Sequence, residues 1–176
     1  IGLPALQINT EHAANNRKFF IEGQVLAIKL ISSPGSGKTT LLKNLLNQYT
    51  GYLKIGIIQN EFAPSGIDGI DLMQSGLPFS LLEINNGSVF CVCLLGDFVK
   101  SLAAFIDEKQ PDLVVLESSG LSDPIAIAQL LQLPVLRDRL YLAHIWCIID
   151  SFNFHRTAIA ETQTIHQIRV ADTVIL

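Results

Sequence analysis

The segment Val25–Leu46, with the sequence VLAIKLISSPGSGKTTLLKNLL, decides the fold of this chain. It begins with an apolar, β-rich run, passes through a loop that contains Gly35 and Gly37, and continues with four leucines at helical spacing. Apolar residues that recur in this way line one face of an amphipathic helix. The segment therefore predicts a buried strand, a glycine loop and a helix in direct succession.

The loop in the middle of this segment is similar to the P-loop pattern Gly-x-x-x-x-Gly-Lys-[Ser/Thr], with Ser32 at the first glycine position. Glycines let backbone N–H groups turn toward an anion, and the helix that follows adds its positive N-terminal end. We predict that Lys38 reaches the β- and γ-phosphates of a nucleotide and that the Thr39 hydroxyl ligates Mg²⁺. The predicted nucleotide-binding residues are Ser33, Pro34, Gly35, Ser36, Gly37, Lys38, Thr39 and Thr40. The alternative is a glycine turn without a ligand.

The rest of the chain alternates strands with helices, which is typical of βαβ units in a parallel sheet. Further strands are predicted at Leu53–Gln59, Phe79–Ile84, Asp112–Glu117, Tyr141–Asp150 and Thr173–Leu176. Further helices are predicted at Glu11–Phe20, Leu94–Lys109, Pro124–Leu131 and Ile165–Ala171. We expect an α/β fold of the P-loop NTPase type, a three-layer α/β/α arrangement with a mostly parallel sheet. Residues 1–176 are expected to form one P-loop domain, with 1–23 as an N-terminal extension and with its C-terminal end incomplete.

Composition argues against several classes of protein. Hydrophobic residues make up 49% of the 176 residues and charged residues 16%, yet no run approaches the roughly 18 apolar residues of a membrane-spanning helix. Strands buried on both faces explain the apolarity. The net charge is −4 without a basic run, which argues against a nucleic-acid partner. The three cysteines argue against a disulfide framework, so we expect a cytoplasmic protein that binds neither nucleic acid nor membrane.

A second group of candidate site residues follows the strand Asp112–Glu117. Ligands of open parallel sheets bind at the carboxyl ends of the strands, so Glu117 is placed to contact Mg²⁺ through water or to orient an attacking water. Gly120 is placed to donate a backbone N–H to a γ-phosphate. We predict Lys38, Glu117 and Gly120 as the catalytic residues, with a surface carboxylate as the alternative for Glu117. The glycine-rich loop that begins at Asn60-Glu61 is predicted to order around a γ-phosphate, or else to be an ordinary flexible loop.

The cysteines and histidines leave alternatives open. Cys91 and Cys93 have ligand types that suit Zn²⁺ or another transition metal, but buried cysteines that act as small hydrophobes would give the same pattern. His144 and Cys147 are three residues apart in one predicted strand, so they should lie on opposite faces as core residues. His155 and His166 are predicted to be solvated or capping residues.

Together these motifs resemble the CobW/HypB/UreG family of P-loop GTPases, which serve metal homeostasis and metallocofactor assembly, including cobalamin synthesis. The resemblance is carried by Ser32–Thr40 with Leu41-Leu42, Asn60-Glu61-Phe62, Gly66-Ile67-Asp68, Glu83-Ile84-Asn85-Asn86-Gly87 and Glu117-Ser118-Ser119-Gly120-Leu121-Ser122-Asp123-Pro124. The last motif is the most specific, because this family places Glu where most GTPases place Asp. The phosphate loop and Asn15-Asn16-Arg17 are more similar to the HypB branch, whereas Asn60 through Asp68 and Glu83 through Gly87 are more similar to the CobW branch.

The resemblance implies slow hydrolysis of GTP with Mg²⁺, which gates the capture or delivery of Zn²⁺, Co²⁺ or Ni²⁺ to a metalloenzyme client. It implies a switch role for Glu61, which could also ligate the metal, and it is compatible with a homodimer. Two departures stand out: only Cys91 matches the family's Cys-x-Cys-Cys pattern, and the guanine-reading Asn-Lys-x-Asp motif is absent. A P-loop ATPase or small-molecule kinase, and a nucleotide-gated binding module with little hydrolysis, therefore remain alternatives.

Overall fold

Among the residues that the structure describes, six strands form one sheet, and all of its neighbouring strands are parallel. A computed structural model describes residues 24–32, 36–60, 72–84, 92–118, 124–152, 154 and 162–176. The strands are β1 (Val25–Ser32), β2 (Ile55–Asn60), β3 (Ser80–Ile84), β4 (Leu113–Ser118), β5 (Leu140–Ile148) and β6 (Thr173–Ile175). The sheet confirms the predicted α/β fold and is more uniformly parallel than expected.

The strand order is β3-β2-β4-β1-β5-β6. The connection that leaves β1 runs toward one edge of the sheet, to β2. The connection that leaves β4 runs toward the opposite edge, to β5. Adjacent strands whose connections diverge create a crevice at their carboxyl ends, where open α/β sheets bind their ligands. The topology therefore places a ligand crevice between the ends of β1 and β4.

Helices cover both faces of the sheet. They are α1 (Lys38–Tyr49), α2 (Val92–Lys109), α3 (Pro124–Leu131), α4 (Pro134–Arg137) and α5 (Thr162–Val170). On one face, Leu42 and Leu46 of α1 pack with Leu30 and Val115 of the central strands. On the other face, residues of α2, α3 and α5 form a second core with the strands; among them are Phe98, Leu102, Leu131, Ile168, Ala27, Ile31 and Val114. Two cores on either side of one sheet confirm the three-layer arrangement.

The predicted element bounds differ from the structure by only one or two residues in most places. β2 begins at Ile55 rather than Leu53, because the Leu53 N–H bonds back to the Tyr49 carbonyl at the end of α1 and Lys54 bonds to Asp112 ahead of β4. The helix α4 was not predicted, since four residues are too few for a helical period to show; Pro134 at its first position begins it. The predicted helix Glu11–Phe20 lies outside the described residues.

A close contact between the sheet and α2 requires glycine in β2. A Cβ built on Gly56 would lie 2.7 Å from Cε1 of Phe105 and 3.1 Å from its Cζ. Phe105 belongs to the core on that face, so its ring lies directly over the glycine backbone.

An ion pair also holds the C-terminal part of α2, because Arg139 donates from Nε and Nη2 to the two carboxylate oxygens of Asp107 at 2.9 and 3.0 Å. This fork lowers the pKa of Asp107 and raises that of Arg139.

Within the part of the chain that the structure describes, none of the helices combines the length and apolar character needed to cross a membrane.

Candidate phosphate and carboxylate site

The N-terminus of α1 has the backbone that a phosphate loop needs. Gly37 caps the helix with φ 91° and ψ 18°, a left-handed conformation that favours glycine. Its carbonyl oxygen accepts the first helical bond, from the Leu41 N–H at 3.0 Å. The first turn of α1 carries no acidic residue, so no side chain there neutralises the positive end of the helix dipole. The end of α1 is thus prepared for an anion.

Lys38, the first residue of α1, lies beside Glu117 of β4. The distance between Lys38 Nζ and Glu117 Oε1 is 3.4 Å. Side chains alternate along a strand, and Leu113 and Val115 of β4 belong to the same core as the leucines of α1. Glu117 therefore points to the α1 face at the carboxyl end of β4. The two residues predicted to act on phosphate and water meet at the crevice between β1 and β4.

Gln59 of β2 completes this group. It stands directly opposite Glu117 in the β2–β4 register, and its Nε2 donates a hydrogen bond to Glu117 Oε2 at 2.6 Å. Gln59 and Glu117 are each only 3% exposed. A charge removed from water must be paired or hydrogen-bonded to be tolerated. Lys38 and Gln59 give Glu117 one contact on each of its two oxygens.

Two buried polar atoms at this edge lack a hydrogen-bond partner among the residues that the structure describes. They are Ser36 Oγ, in the loop before α1, and Glu117 Oε1, whose 3.4 Å ion pair with Lys38 Nζ does not have the geometry of a hydrogen bond. Buried polar atoms normally have a partner from the protein or from ordered water. A hydroxyl beside the helix N-terminus suits a phosphate oxygen, and a carboxylate oxygen suits a water or a hydrated Mg²⁺. The donor set therefore fits a nucleotide phosphate with Mg²⁺.

The other predicted site residues fall into two groups. Thr39 and Thr40 lie in the first turn of α1, next to Lys38. Ser33, Pro34, Gly35, Glu61, Cys91 and Gly120 lie outside the described residues. Cys93 lies in the first turn of α2, where only its backbone is described. Among the described residues there is no group of three or more His, Cys, Asp or Glu side chains able to hold a metal ion, so the transition-metal site stays a prediction.

The remaining cysteine and the histidines have structural positions. Cys147 is 1% exposed in the core on the α2 face, and burial raises the pKa of its thiol to about 11. Its placement in the core is therefore confirmed. His144 is only half-buried, so the prediction of a core position is wrong for it: its Nε2 lies 3.1 Å from Thr173 Oγ1 on β6. His166 is exposed, as predicted. His155 lies outside the described residues.

Gln59 is the site residue that the sequence analysis missed. It was assigned only to the end of a strand, although it is the first polar residue after the apolar run Ile55–Ile58. A polar residue at the carboxyl end of a buried parallel strand is the signal that identified Glu117. The same signal applied to β2 would have found Gln59.

Known proteins share this sequence pattern. The family described as "CobW/HypB/UreG, nucleotide-binding domain" matches residues 26–176. The zinc chaperone CobW of Sinorhizobium sp is 30% identical over 135 residues, which cover 74% of this chain and 38% of that protein. The zinc chaperone YjiA of Escherichia coli (strain K12) is 31% identical over 150 residues, which cover 81% of this chain and 45% of that protein.

A solved structure shares the fold. The crystal structure of the cell division protein ftsY from Thermotoga maritima matches with a TM-score of 0.56 at 11% identity, over 91% of this chain and 57% of that one. The chain spans less than half the length of the two zinc chaperones, 38% and 45%. The family match extends from the second residue of β1 through β6 and includes Lys38, Gln59 and Glu117. On these grounds the chain belongs to the CobW/HypB/UreG family of nucleotide-binding domains.

Proposed function

We propose that this chain binds GTP with Mg²⁺ and hydrolyses it slowly to gate the delivery of a metal ion to a metalloenzyme client. The observation that carries the proposal is the 3.4 Å contact between Lys38 Nζ and Glu117 Oε1 at the crevice beside β1. It joins a phosphate-binding cation and a water-binding carboxylate in one site. Membership of the CobW/HypB/UreG family supports a guanine nucleotide as the ligand.

Each residue has a distinct chemical task in this proposal. Phosphate binding is assigned to Ser33–Thr40, in which the ammonium group of Lys38 stabilises negative charge on the β- and γ-phosphates. The Thr39 hydroxyl and, through water, the Glu117 carboxylate would hold Mg²⁺, which supplies charge neutralisation at the phosphates when bound. Glu117 also orients the attacking water, and Gly120 donates its N–H to the γ-phosphate. Catalysis here consists of positioning and electrostatic stabilisation.

The metal ion is cargo rather than a resident cofactor in this proposal. Two relatives are named zinc chaperones, which supports Zn²⁺ as the first candidate, with Co²⁺ and Ni²⁺ as the others. Glu61, Cys91 and Cys93 stay predicted ligands, and the metalloenzyme client, a cobalamin-synthesis enzyme included, stays a prediction. We further propose that 1–176 acts as one nucleotide-binding domain of a cytoplasmic, homodimeric protein, with 1–23 as an extension of that domain.

Nucleotide binding and turnover of the protein test this function. Calorimetry with GTP, GDP and ATP in the presence of Mg²⁺ should show guanine nucleotides binding more tightly, and phosphate release should accompany incubation with GTP. ATP that binds as tightly as GTP, or turnover that needs an acceptor other than water, would favour the ATPase or kinase alternative. Partner binding that depends on GTP without phosphate release would favour the binding module.

The substitution Lys38→Ala tests the phosphate loop itself. It should abolish nucleotide binding, because it removes the cation that contacts the phosphates. Lys43→Ala is a matched control, since Lys43 lies roughly one and a half turns further along the same helix, and this variant should bind GTP as the parent does. Unchanged GTP affinity in Lys38→Ala would refute the assignment of the loop.

A further inference from the structure

We propose that Gln59 is a positioning residue that fixes the carboxylate of Glu117, so that Oε1 is presented to Lys38 and the phosphate loop. This inference deepens the proposed function and rests on Glu117 acting in GTP hydrolysis. No motif that carries the family resemblance includes Gln59. The assignment comes from the hydrogen bond at 2.6 Å between Gln59 Nε2 and Glu117 Oε2.

The register of the sheet places a neutral amide between two carboxylates. Gln59 stands opposite Glu117 on β4 and opposite Glu83 on β3. Residues directly opposite one another on parallel strands have neighbouring side chains on the same face. An acidic residue in place of Gln59 would make three carboxylates in one row, whereas an amide can donate a hydrogen bond.

The hydrogen bond decides which oxygen of Glu117 is left for the site. The terminal torsion of a glutamate is broad, so the carboxylate alone does not select one orientation. Gln59 holds Oε2, and Oε1 is left 3.4 Å from Lys38 Nζ. Hydrogen bonds to an ionised group are roughly twice as strong as neutral ones. With both residues 3% exposed, water has little access to replace Gln59 as the donor.

Orientation matters because Glu117 acts through its free oxygen. A carboxylate that directs a water or holds a hydrated cation works only when that oxygen lies in the reactive geometry. A misplacement of about 1 Å in a reacting group can lower a rate about 100-fold. Gln59 therefore controls turnover through Glu117 without touching the nucleotide.

Two substitutions distinguish a hydrogen-bonding role of Gln59 from a role in which its side chain only fills space in the core. Gln59→Leu keeps most of the volume but removes the donor. Gln59→Glu keeps the shape but places a second acceptor against Glu117 Oε2, which repels it. Gln167→Leu is the matched control, because Gln167 is a buried glutamine, 2% exposed, on α5, which packs on the opposite face of the sheet.

Steady-state GTP hydrolysis, normalised to nucleotide-binding sites, gives the first readout. We expect kcat to fall about 10- to 100-fold in Gln59→Leu and at least as far in Gln59→Glu, as the loss of a hydrogen bond to a charged group predicts. KM for GTP should change less than about threefold, because the contacts that bind GTP equally in the ground state and the transition state are kept in the variant. Gln167→Leu should keep the parent kcat. A Gln59→Leu variant with the parent kcat, or a loss confined to KM, would overturn the proposal.

A crystal structure of Gln59→Leu gives a second readout that does not depend on hydrolysis. Glu117 Oε1 should move beyond about 4 Å from Lys38 Nζ, the limit of an ion pair. A distance that stays at 3.4 Å would show that Gln59 does not orient the carboxylate. If Gln59→Leu fails to fold, Gln59→Glu serves for both measurements. A parent that releases no phosphate refutes the proposed function, whereas the distance in the variant still decides the role of Gln59.

Discussion

Replacing Gly56 with alanine should destabilise the domain through one identified contact. Gly56 lies in β2, three residues before Gln59, and its backbone is covered by the ring of Phe105 from α2. The new Cβ would lie 2.7 Å from Cε1 and 3.1 Å from Cζ of that ring, and 3.6 Å from Cβ of Pro111. Carbon atoms pack best at about 3.5–4.0 Å, so the ring must shift by roughly 1 Å.

The magnitude follows from two opposing effects. Phe105 is 7% exposed, so its ring can move only against other core residues. Overpacking of this kind costs about 1–3 kcal/mol. Alanine also restricts the unfolded chain more than glycine does, and this lower entropy of the unfolded state offsets about 0.4–1 kcal/mol of the loss. With the midpoint of each range, the net loss in the free energy of unfolding should be about 1.3 kcal/mol.

Urea denaturation of the parent and of Gly56→Ala measures this loss as a lower midpoint at constant slope. Gly51→Ala is the control, because a Cβ at Gly51 meets no atom within 4 Å, and it should be as stable as the parent or slightly more stable. The smaller side chain of Phe105→Leu should relieve the clash, so the double variant should lose less stability than the two single losses added together. Full stability of Gly56→Ala, or strictly additive losses, would refute the reasoning.

Three further predictions concern the phosphate loop, the buried thiol and the end of α2. Gly37→Ala forces a Cβ into a backbone with φ 91°, so it should cost about 1–2 kcal/mol and weaken GTP binding in calorimetry; parent-like affinity would contradict this. Burial raises the pKa of Cys147 from 9.0 to about 11. The unfolded thiol therefore ionises first, and the stability it contributes is complete below pH 9 and is lost as the pH rises to about 11. Cys147→Ala should remove that part of the pH dependence of urea unfolding, and an unchanged pH dependence would show that the thiol does not contribute. Gln110 has φ 46° just after α2, so Gln110→Gly should raise the free energy of unfolding by about 1 kcal/mol, whereas a lower unfolding midpoint would argue against relief of strain.

The sequence predicted the fold well because local and global preferences agree in it. The apolar runs of β1, β4 and β5 are flanked by turn residues, and the leucines of α1 keep a helical period. What the sequence did not show depends on contacts across the sheet. No local pattern indicates that β4 lies between β2 and β1, or that Gly56 faces an aromatic ring.

The site was predicted one residue at a time, whereas the structure shows it as a group. Lys38 was expected from the loop and Glu117 from its position at the end of a strand, but their 3.4 Å contact requires the strand order. Gln59 is 58 residues from Glu117 in the chain, and only the β2–β4 register brings them together. Side-chain partners across a sheet are set by the register of the strands, which no local sequence pattern shows.

The burial of β2 and β4 also explains why their polar residues lie at the carboxyl edge. Helices cover both faces of β2 and β4, so a polar side chain within these strands would have to leave water without compensation. Along β2 and β4 the residues before the end are apolar or glycine, and the polar residues come last: Gln59-Asn60 and Glu117-Ser118. At that edge Lys38 and the N-terminus of α1 provide opposite charge, which makes a buried carboxylate tolerable. The carboxyl end of β4 is therefore where this strand tolerates a carboxylate, and the Gln59 amide holds one oxygen of that carboxylate through a hydrogen bond at 2.6 Å.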